Sequence, residues 1–357
     1  MGKGPSIESV NSLVQQAEAV RRAAATSDEL ITRNFAKKAA DTLDSLAQSQ
    51  LNRIKKDADP VQVLADNASV SEMRHARQRR AVRRGDSVYL PSGREGSIAL
   101  PNVLLRSSLF AAATADRSTF ASHELASQGD TSLRMEGRRL YDYDRRVFAV
   151  CVNSYRGDRR LCSDHADEWV KMTFWQLAKA LHVSYGANVH QSIRNSLERL
   201  NEATIQVRIK GVDIATTRLI RVSFEADPEL DVTPGRPTRG SDTVAFQVPD
   251  TLANLFGRAR WTAVEESVLH SFSGLPSWLA CFYSTHQSAY ALSVEDLWRY
   301  SGVLCDLREF RRRLNTALLR LQAEDVPTQV RVERFTISNG KLLVELVRWS
   351  GKSMAGC

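Results

Sequence analysis

Residues 293–321 read SVEDLWRYSGVLCDLREFRRRLNTALLRL. The stretch opens with Ser293 and carries Asp296 three residues later, the spacing of a helix N-cap whose hydroxyl accepts amide hydrogen bonds. Gly302 interrupts this short helix, and a longer helix follows. One face of the longer helix is polar and rich in arginine. The other face is apolar, as in a helix packed on a core: Leu307, Phe310, Leu314, Leu318 and Leu321.

The chain after this helix has the composition of β-strands. Residues 329–337 and 341–349 are rich in β-branched and apolar residues, and Asn339-Gly340 lies between them. An Asn-Gly pair in this position is typical of a hairpin, because both residues tolerate the positive φ of a type I′ turn. Two helices joined by a turn and followed by a two-stranded wing form a winged helix.

The same order occurs earlier in the chain. Thr173 and Gln176 have the capping-box spacing, a break containing Gly186 follows, and a longer helix comes next. Behind that helix, residues 205–209 alternate between apolar and polar side chains, and a second strand is expected near 217–224. The sequence therefore predicts an α+β fold with two tandem winged-helix domains. The apolar face of the earlier helix consists of Val189, Ile193, Leu197 and Leu200.

These domains are placed at residues 98–255 and 256–350, after an N-terminal arm and linker at 1–97 and before a tail at 351–357. Residues 7–56 contain neither Gly nor Pro, and their apolar residues recur at helical spacings, so the arm is either mainly helical or partly disordered. The apolar residues in question are Ile7, Val10, Val14, Ala17, Leu30, Ile31, Phe35, Leu43 and Leu46.

Two further segments allow two interpretations each. Residues 73–84 contain six arginines and no acidic residue, which fits either a DNA-contacting arm or a solvated linker. Residues 227–240 form a long loop that is either an extended wing, with Arg236 and Arg239 reaching a groove, or an insertion without a role.

Several features favour DNA as the partner. The net charge is +8, from 49 basic and 41 acidic residues, although such a surplus also occurs in unrelated soluble proteins. A winged helix places its second helix in the major groove, where Asn and Gln pair with adenine and Arg pairs with guanine. A single polar helix face is typical of any solvated helix, but two in one basic chain favour DNA binding. The candidate DNA-binding residues are Gln191, Arg194, Asn195, Arg208, Lys210, Arg308, Arg311, Arg312, Arg313, Asn315 and Lys341.

The residues do not predict an enzyme. The chain has no Gly-x-x-x-x-Gly-Lys-Ser/Thr loop for nucleotide phosphates, and no two of its seven histidines are separated by one residue, as a nicking enzyme would require. Five widely spaced cysteines predict no zinc site and fit a reducing compartment. No apolar stretch reaches the ~18 residues of a membrane span. We expect a cytoplasmic, non-enzymatic protein without metal, cofactor or membrane attachment, whose Trp175, Trp278 and Trp298 fill the core.

Four segments between about residues 98 and 350 resemble, by their order and spacing, those of a known protein family. They are LRSSLFAA at 105–112, GRRLYDYD at 137–144, FWQLAKAL at 174–181 and LPSWLACFYSTH at 275–286. Together they resemble the TrfA-type plasmid replication initiators. Residues 1–97 carry little of the resemblance.

This resemblance implies a specific function. Such initiators bind direct repeats (iterons) in double-stranded origin DNA, help to open an A·T-rich segment, contact its single strands, and recruit the host replicative helicase and polymerase clamp. Their monomers are active and their dimers inactive. Some members contact the clamp through a glutamine-led pentapeptide ending in Leu-Phe. Here residues 106–110 have that ending without the glutamine, and we expect them to pack as a helix.

Two alternatives stay open on the sequence. A winged-helix transcriptional repressor would bind an operator with an inverted repeat as a dimer, whereas an initiator binds direct repeats as a monomer. A DNA-processing enzyme is the third hypothesis, and nicking or ATP hydrolysis by the purified protein would support it.

Overall fold

The structure is a computed structural model that describes residues 7–25, 30–57, 90–91, 96–113, 118–155, 169–225, 239–256 and 260–350. The chain divides into two compact units, Met1–Asp86 and Ser87–Cys357. Helices and strands are mixed, which confirms the predicted α+β class. The arginine run at 73–84, residues 227–238 of the long loop and the tail at 351–357 lie outside the described residues.

Two helices form the described part of the first unit: α1 (Ile7–Ala25) and α2 (Leu30–Asp57). They agree with the helical alternative for the arm. Ala17, Ala40 and Ala47 are buried among the side chains that the structure describes in these helices, whereas Val14 and Leu46 are 41% and 49% exposed. Of the residues on the predicted stripes, Ala17 is buried, and Val14 and Leu46 are exposed. Alanines at the contact let the two helix axes approach closely, because interaxial distance depends on the side chains between them.

The second unit begins with a mixture of short elements. They are β1 (Ser97–Pro101), α3 (Asn102–Leu105), β2 (Phe110–Ala111), β3 (Thr119–Leu125), β4 (Thr131–Arg138), β5 (Leu140–Tyr141), α4 (Asp142–Asn153), β6 (Val170–Thr173), α5 (Phe174–Ala180), α6 (Ala187–Glu202), β7 (Thr204–Ile209), β8 (Val212–Arg218), β9 (Arg221–Glu225) and β10 (Thr243–Gln247).

A 3-10 helix at Asp250–Phe256 leads into the second half of this unit. The elements there are β11 (Trp261–Glu265), α7 (Glu266–His270), α8 (Gly274–Ser284), β12 (Leu292–Ser293), α9 (Val294–Ser301), α10 (Leu307–Leu321), β13 (Val332–Ser338), β14 (Lys341–Leu346) and α11 (Val347–Ser350).

Two groups of elements in the second unit share one topology. The first module consists of α4, β6, α5, α6, β9 and β10, and its antiparallel sheet has the order β6-β10-β9. The second module consists of α8, β12, α9, α10, β13 and β14, and its sheet has the equivalent order β12-β14-β13. In each module the strand before the helix pair therefore lies next to the last strand.

Backbone contacts repeat between the modules as well. Thr173 faces Thr243 across the first sheet, and Ser293 faces Lys341 across the second. The backbone amide of the residue that follows Thr173 or Ser293 donates to the carbonyl of the residue just before the last strand of its module. These bonds are Phe174 N to Asp242 O at 3.0 Å and Val294 N to Gly340 O at 2.9 Å. Each helix pair is thereby fixed to its own sheet at the same point.

The strands expected to form the first wing belong to another sheet. The hairpin β7–β8 belongs to a four-stranded sheet of order β3-β4-β7-β8, in which β7 pairs with β4 and β4 pairs with β3. The strand expected near 217–224 covers the end of β8 and most of β9. The expected wing is therefore wrong, and the strands beside the first helix pair are β9 and β10, which flank the long loop. Alternation shows that a strand is half buried, but it does not identify the partner strand.

The Asn-Gly hairpin of the second module is confirmed. Asn339 and Gly340 have φ values of 51° and 73°, as a type I′ turn requires, and they join β13 to β14. Lys210 and Gly211 have φ values of 51° and 78° between β7 and β8. A two-residue turn with positive φ at both residues therefore closes one hairpin in the four-stranded sheet and another in the sheet of the second module.

The two modules share one hydrophobic core, which extends from Leu90 to Leu346. The predicted boundary at residues 255 and 256 falls inside this unit. An antiparallel ladder joins β1 to β11, from Ser97 opposite Glu265 to Pro101 opposite Trp261. Because β1 precedes the first module and β11 precedes the second, this ladder holds the two modules together.

Buried carboxylates connect the helices of both modules. Asp142, in the first turn of α4, forms ion pairs with Arg145 and with Arg146, the latter at 2.9 Å. Arg145 is 1% exposed and also donates to Ser277 Oγ of α8 at 2.6 Å. This bond crosses from the first module to the second.

Asp144 performs the same role toward α6. Its carboxylate is fully buried and accepts hydrogen bonds from Ser196 Oγ at 2.6 Å and Arg199 Nη2 at 2.7 Å. Burial raises the pKa of Asp144, and the bonds from Arg199 and Ser196 act in the opposite direction. The carboxylate thus sets the position of α6 on α4.

We expect Asp144→Ala to lower the free energy of unfolding by roughly 3 kcal/mol, because it leaves the guanidinium of Arg199 without its buried partner. Urea denaturation followed by circular dichroism measures the loss. Arg208→Ala is the control, since it breaks an exposed pair with Asp213 and should cause no resolvable change. Equal losses in the two variants would contradict this account of Asp144.

Candidate nucleic-acid interface

Both short helices start with the predicted caps. Thr173 Oγ1 accepts from Gln176 N at 3.1 Å, and Gln176 Oε1 accepts from Thr173 N at 2.8 Å, a complete capping box. Ser293 Oγ accepts from Asp296 N at 3.4 Å, while the Asp296 carboxylate pairs with Arg299. The second cap is therefore one-sided.

The polar face of α10 lies at the surface as expected. Phe310, Leu314, Leu318 and Leu321 are buried, together with Ala317. The helix starts at an N-cap that the sequence analysis missed: Asp306 Oδ1 accepts from Glu309 N at 2.8 Å. The residues exposed on the outer face include all five that were predicted in this helix, namely Arg308, Arg311, Arg312, Arg313 and Asn315.

The cations of this face differ in their partners. Glu309, the single carboxylate of α10, accepts from Arg312 Nη2 and from Arg313 Nε, both at 2.7 Å. Hydrogen bonds from these two arginines lower the pKa of Glu309 to about 2. Within the described part of the chain, Arg308 and Arg311 have no hydrogen-bond or ion-pair partner. Among the described residues, two arginines of α10 are thus unpaired and two are held by Glu309.

An open groove of about 740 Å³ runs along one flank of α10. The first turn of α8, with Leu275 and Pro276, forms one wall, and Leu304 of the turn before α10 adds an apolar side chain that is 58% exposed. Three arginines of α10 also line the groove: Arg312, Arg313 and Arg320. The flank therefore combines apolar surface with guanidinium groups, as the side of a helix that meets sugar and phosphate would.

The corresponding helix of the first module, α6, has a nearly neutral outer face. Gln191 Nε2 donates to Asn195 Oδ1 at 2.7 Å, so the two predicted amides are neighbours. Arg194 lies 4.3 Å from the centre of the Phe224 ring and pairs with Glu198 at 3.2 Å. Its guanidinium is directed to β9, and the amides form the accessible polar group of this helix.

The remaining predicted residues fall in two places. Lys341 is exposed at the start of β14, opposite Ser293, so it lies beside the start of α9. Arg208 and Lys210 lie in the four-stranded sheet, at the β7–β8 hairpin, and Arg208 pairs with Asp213 at 2.5 Å. The structure groups Lys341 with the helix pair of its module, but it does not group Arg208 and Lys210 with α6.

Trp175 was expected in the core and is 53% exposed instead. It is the second residue of α5, its backbone N donates to Gly240 O at 3.0 Å, and Lys179 Nζ lies 5.4 Å from its ring centre. Of the other two tryptophans that were expected in the core, Trp278 is buried and Trp298 is partly buried. Trp175 therefore presents an aromatic surface at the base of the long loop, which a count of apolar residues could not distinguish from a core position.

Two absences concern the described ranges only. No group of three or more His, Cys, Asp or Glu side chains there is arranged to hold a metal ion. None of the helices in those ranges has both the length and the apolar character needed to cross a membrane.

Residues 106–110, which resemble the end of a clamp-binding peptide, are not a helix. The helix α3 ends at Leu105, Phe110 begins β2, and Leu109 and Phe110 are each 1% exposed. The expectation of a helix is wrong here, because both apolar side chains enter the shared core. Their burial also leaves the Leu-Phe ending inaccessible.

Comparisons with known proteins give a weak likeness. No protein-family model matches the chain, and no curated protein matches it. Among the solved structures that are similar, two are of domains 2 and 3 of RctB. The first, of selenomethionine derivatives, has a TM-score of 0.45 and 10% identity and covers 70% of this chain and 99% of that chain. The second has a TM-score of 0.37 and 11% identity and covers 66% and 93%. Scores below 0.5 assign neither a fold family nor a function.

We expect Trp175 to report on anything that binds the first module. Acrylamide should quench its fluorescence in the free protein. A bound duplex should protect it from quenching, since its exposed ring belongs to α5, the first helix of the pair. The comparison is between wild type and Trp175→Phe, with and without a short duplex. Equal protection in both proteins would mean that Trp175 is remote from the duplex.

Proposed function

We propose that the chain is a plasmid replication initiator that acts in the cytoplasm and binds double-stranded origin DNA through two winged-helix modules. It has no catalytic activity in this proposal. The observation that carries it is the repeated topology: strand, helix, turn, helix and two strands, twice in one compact unit, each time with a polar second helix at the surface. The modules supply the binding free energy, and no active site is required.

The physical basis of DNA binding is the fit of a helix into the major groove. In this proposal α6 and α10 are the recognition helices, with Gln191 and Asn195 directed to adenine and Arg308 directed to guanine. Lys341 contacts phosphates, as do Arg313 and Arg320 beside the groove of α10, and these contacts fix the protein on the duplex without selecting a sequence.

The difference between the recognition helices favours an initiator over a repressor. The outer face of α6 presents amides, and that of α10 presents arginines. Two unlike helices held in one core recognise a site without two-fold symmetry. Such sites can be repeated in one direction, as direct repeats are, and one chain fills each of them. A repressor dimer would instead place two identical helices on an inverted repeat.

The choice of replication rests further on the resemblance to TrfA-type initiators between residues 98 and 350. On that basis we propose opening of an A·T-rich segment, contact with its single strands, and recruitment of the host helicase and polymerase clamp. Duplex opening costs a few kcal/mol and is offset by protein wrapped on bent repeats. The helices α1 and α2 are proposed as the helicase-contacting part, and the active species is proposed to be the monomer of a monomer–dimer equilibrium.

The decisive experiment is fluorescence anisotropy on a duplex that carries the direct repeats flanking the gene. A scrambled duplex is the control, and both are measured at about 0.15 M salt, where the ratio of specific to nonspecific affinity has meaning. We expect a ratio above roughly 10³. A ratio near one would refute sequence-specific origin binding. Sedimentation of the complex gives the stoichiometry, and two chains per site would support the repressor.

We expect Arg308→Ala to weaken binding to the specific duplex by about ten- to a hundredfold, because it removes one base contact of α10. Binding to the scrambled duplex should weaken much less. Arg134→Ala is the matched control, since it removes the same charge from the exposed face of the four-stranded sheet. If both substitutions reduced specific binding equally, α10 would not be the helix that recognises bases.

A further inference from the structure

Glu309 occupies an unusual position for a carboxylate in the proposed interface. It lies in the first turn of α10, and its side chain is 30% exposed. The residues that point to DNA from a helix-turn-helix are concentrated in the first turns of the second helix. A negative charge there repels the phosphates of DNA, so a carboxylate at this position requires an explanation.

The contacts of Glu309 suggest that role. It accepts from Arg312 Nε at 2.8 Å and Nη2 at 2.7 Å, and from Arg313 Nε at 2.7 Å. Arg312 is 73% exposed in its side chain, so the pair lies at the surface, where ion pairs open at small cost. Both arginines can leave Glu309 and donate to another acceptor, provided that the carboxylate then accepts from a new donor.

Phosphates offer no donor to Glu309, but a base pair does. Guanine presents O6 and N7 as acceptors for an arginine, and its partner cytosine presents the N4 amino group as a donor for a carboxylate. The low pKa of Glu309, about 2, keeps the group ionised and therefore an acceptor only. A G·C pair presents two acceptors on one base to Arg312 and a donor to Glu309, whereas an A·T pair has no base with two acceptors for a bidentate arginine.

We infer that Glu309 is a specificity-determining residue: it holds Arg312 and Arg313 away from the phosphates of nonspecific DNA, and at the cognate site it accepts from the N4 amino group of a cytosine. This inference rests on the proposed function. The first turn of α6, Ala187 to Val189, contains no acidic residue, so this role of a carboxylate is confined to the second module. One cytosine in the half of the site bound by α10 is the expected signature.

The test is selection of binding sites from a random duplex library by three full-length proteins: wild type, Glu309→Gln and Asp325→Asn. Glutamine has nearly the same shape but favours adenine. We expect Glu309→Gln to lose the cytosine preference at one position by about tenfold or more and to prefer adenine there. Its affinity for a scrambled duplex should rise, because Arg312 and Arg313 are released.

Asp325→Asn is the matched control. It removes the same charge and releases Arg320, which pairs with Asp325 at 2.7 Å beyond the end of α10. We expect it to strengthen binding to all duplexes without changing the preferred sequence. Circular dichroism melts confirm that the variants are folded.

The outcomes separate the two hypotheses. A wild-type protein that selects no sequence would refute the proposed function and this inference with it. A wild-type protein that selects a sequence which Glu309→Gln selects unchanged would refute the role of Glu309 alone. So would a loss of specificity in Asp325→Asn as large as that in Glu309→Gln, because general charge would then explain both.

Discussion

The positions of the helices in the second unit depend on the buried carboxylates at the start of α4. Asp144 holds α6 through Ser196 and Arg199, and Asp142 holds Arg145, which reaches α8. A buried ion pair contributes little net stability but penalises every arrangement that separates its members. These bonds therefore select one relative placement of the modules from the many that an apolar core alone would tolerate.

The helix pair and the hairpin of the second module could be predicted from its sequence. The strand expected at 341–349 ends at Leu346, where a short helix follows, and α8 and β12 were not predicted. The signals of the predicted elements are local: the cap at Ser293, the apolar face of α10 and the Asn339-Gly340 turn each depend on neighbours within a few residues. The first module departs from this because β7 and β8 are inserted between α6 and β9. Strand pairing over long separations leaves no local signal, so a half-buried hairpin directly after the helix was assigned to the wrong sheet.

The candidate interface shows a related limit. Arginines on an outer face can be counted from a helical wheel, but their partners cannot. Arg194 is directed to Phe224, and Arg312 and Arg313 share Glu309. The exposure of Trp175 likewise depends on the distant residue Gly240, whose carbonyl oxygen accepts a hydrogen bond from Trp175 N. Availability of a charged or aromatic group is a tertiary property, so the sequence predicted the helices better than the groups that they present.

The ladder between β1 and β11 has a consequence for synthesis of the chain. The two strands are separated by about 160 residues, from Pro101 to Trp261. Ribosomes add about 5–20 residues per second, so β1 waits roughly 10–30 s before its partner is made. During that interval the apolar strand β1 has an unpaired edge, which is a hazard for aggregation. Completion of the core shared by the two modules is thus tied to translation of β11, and a product shortened before β11 would retain an exposed strand instead of a finished domain.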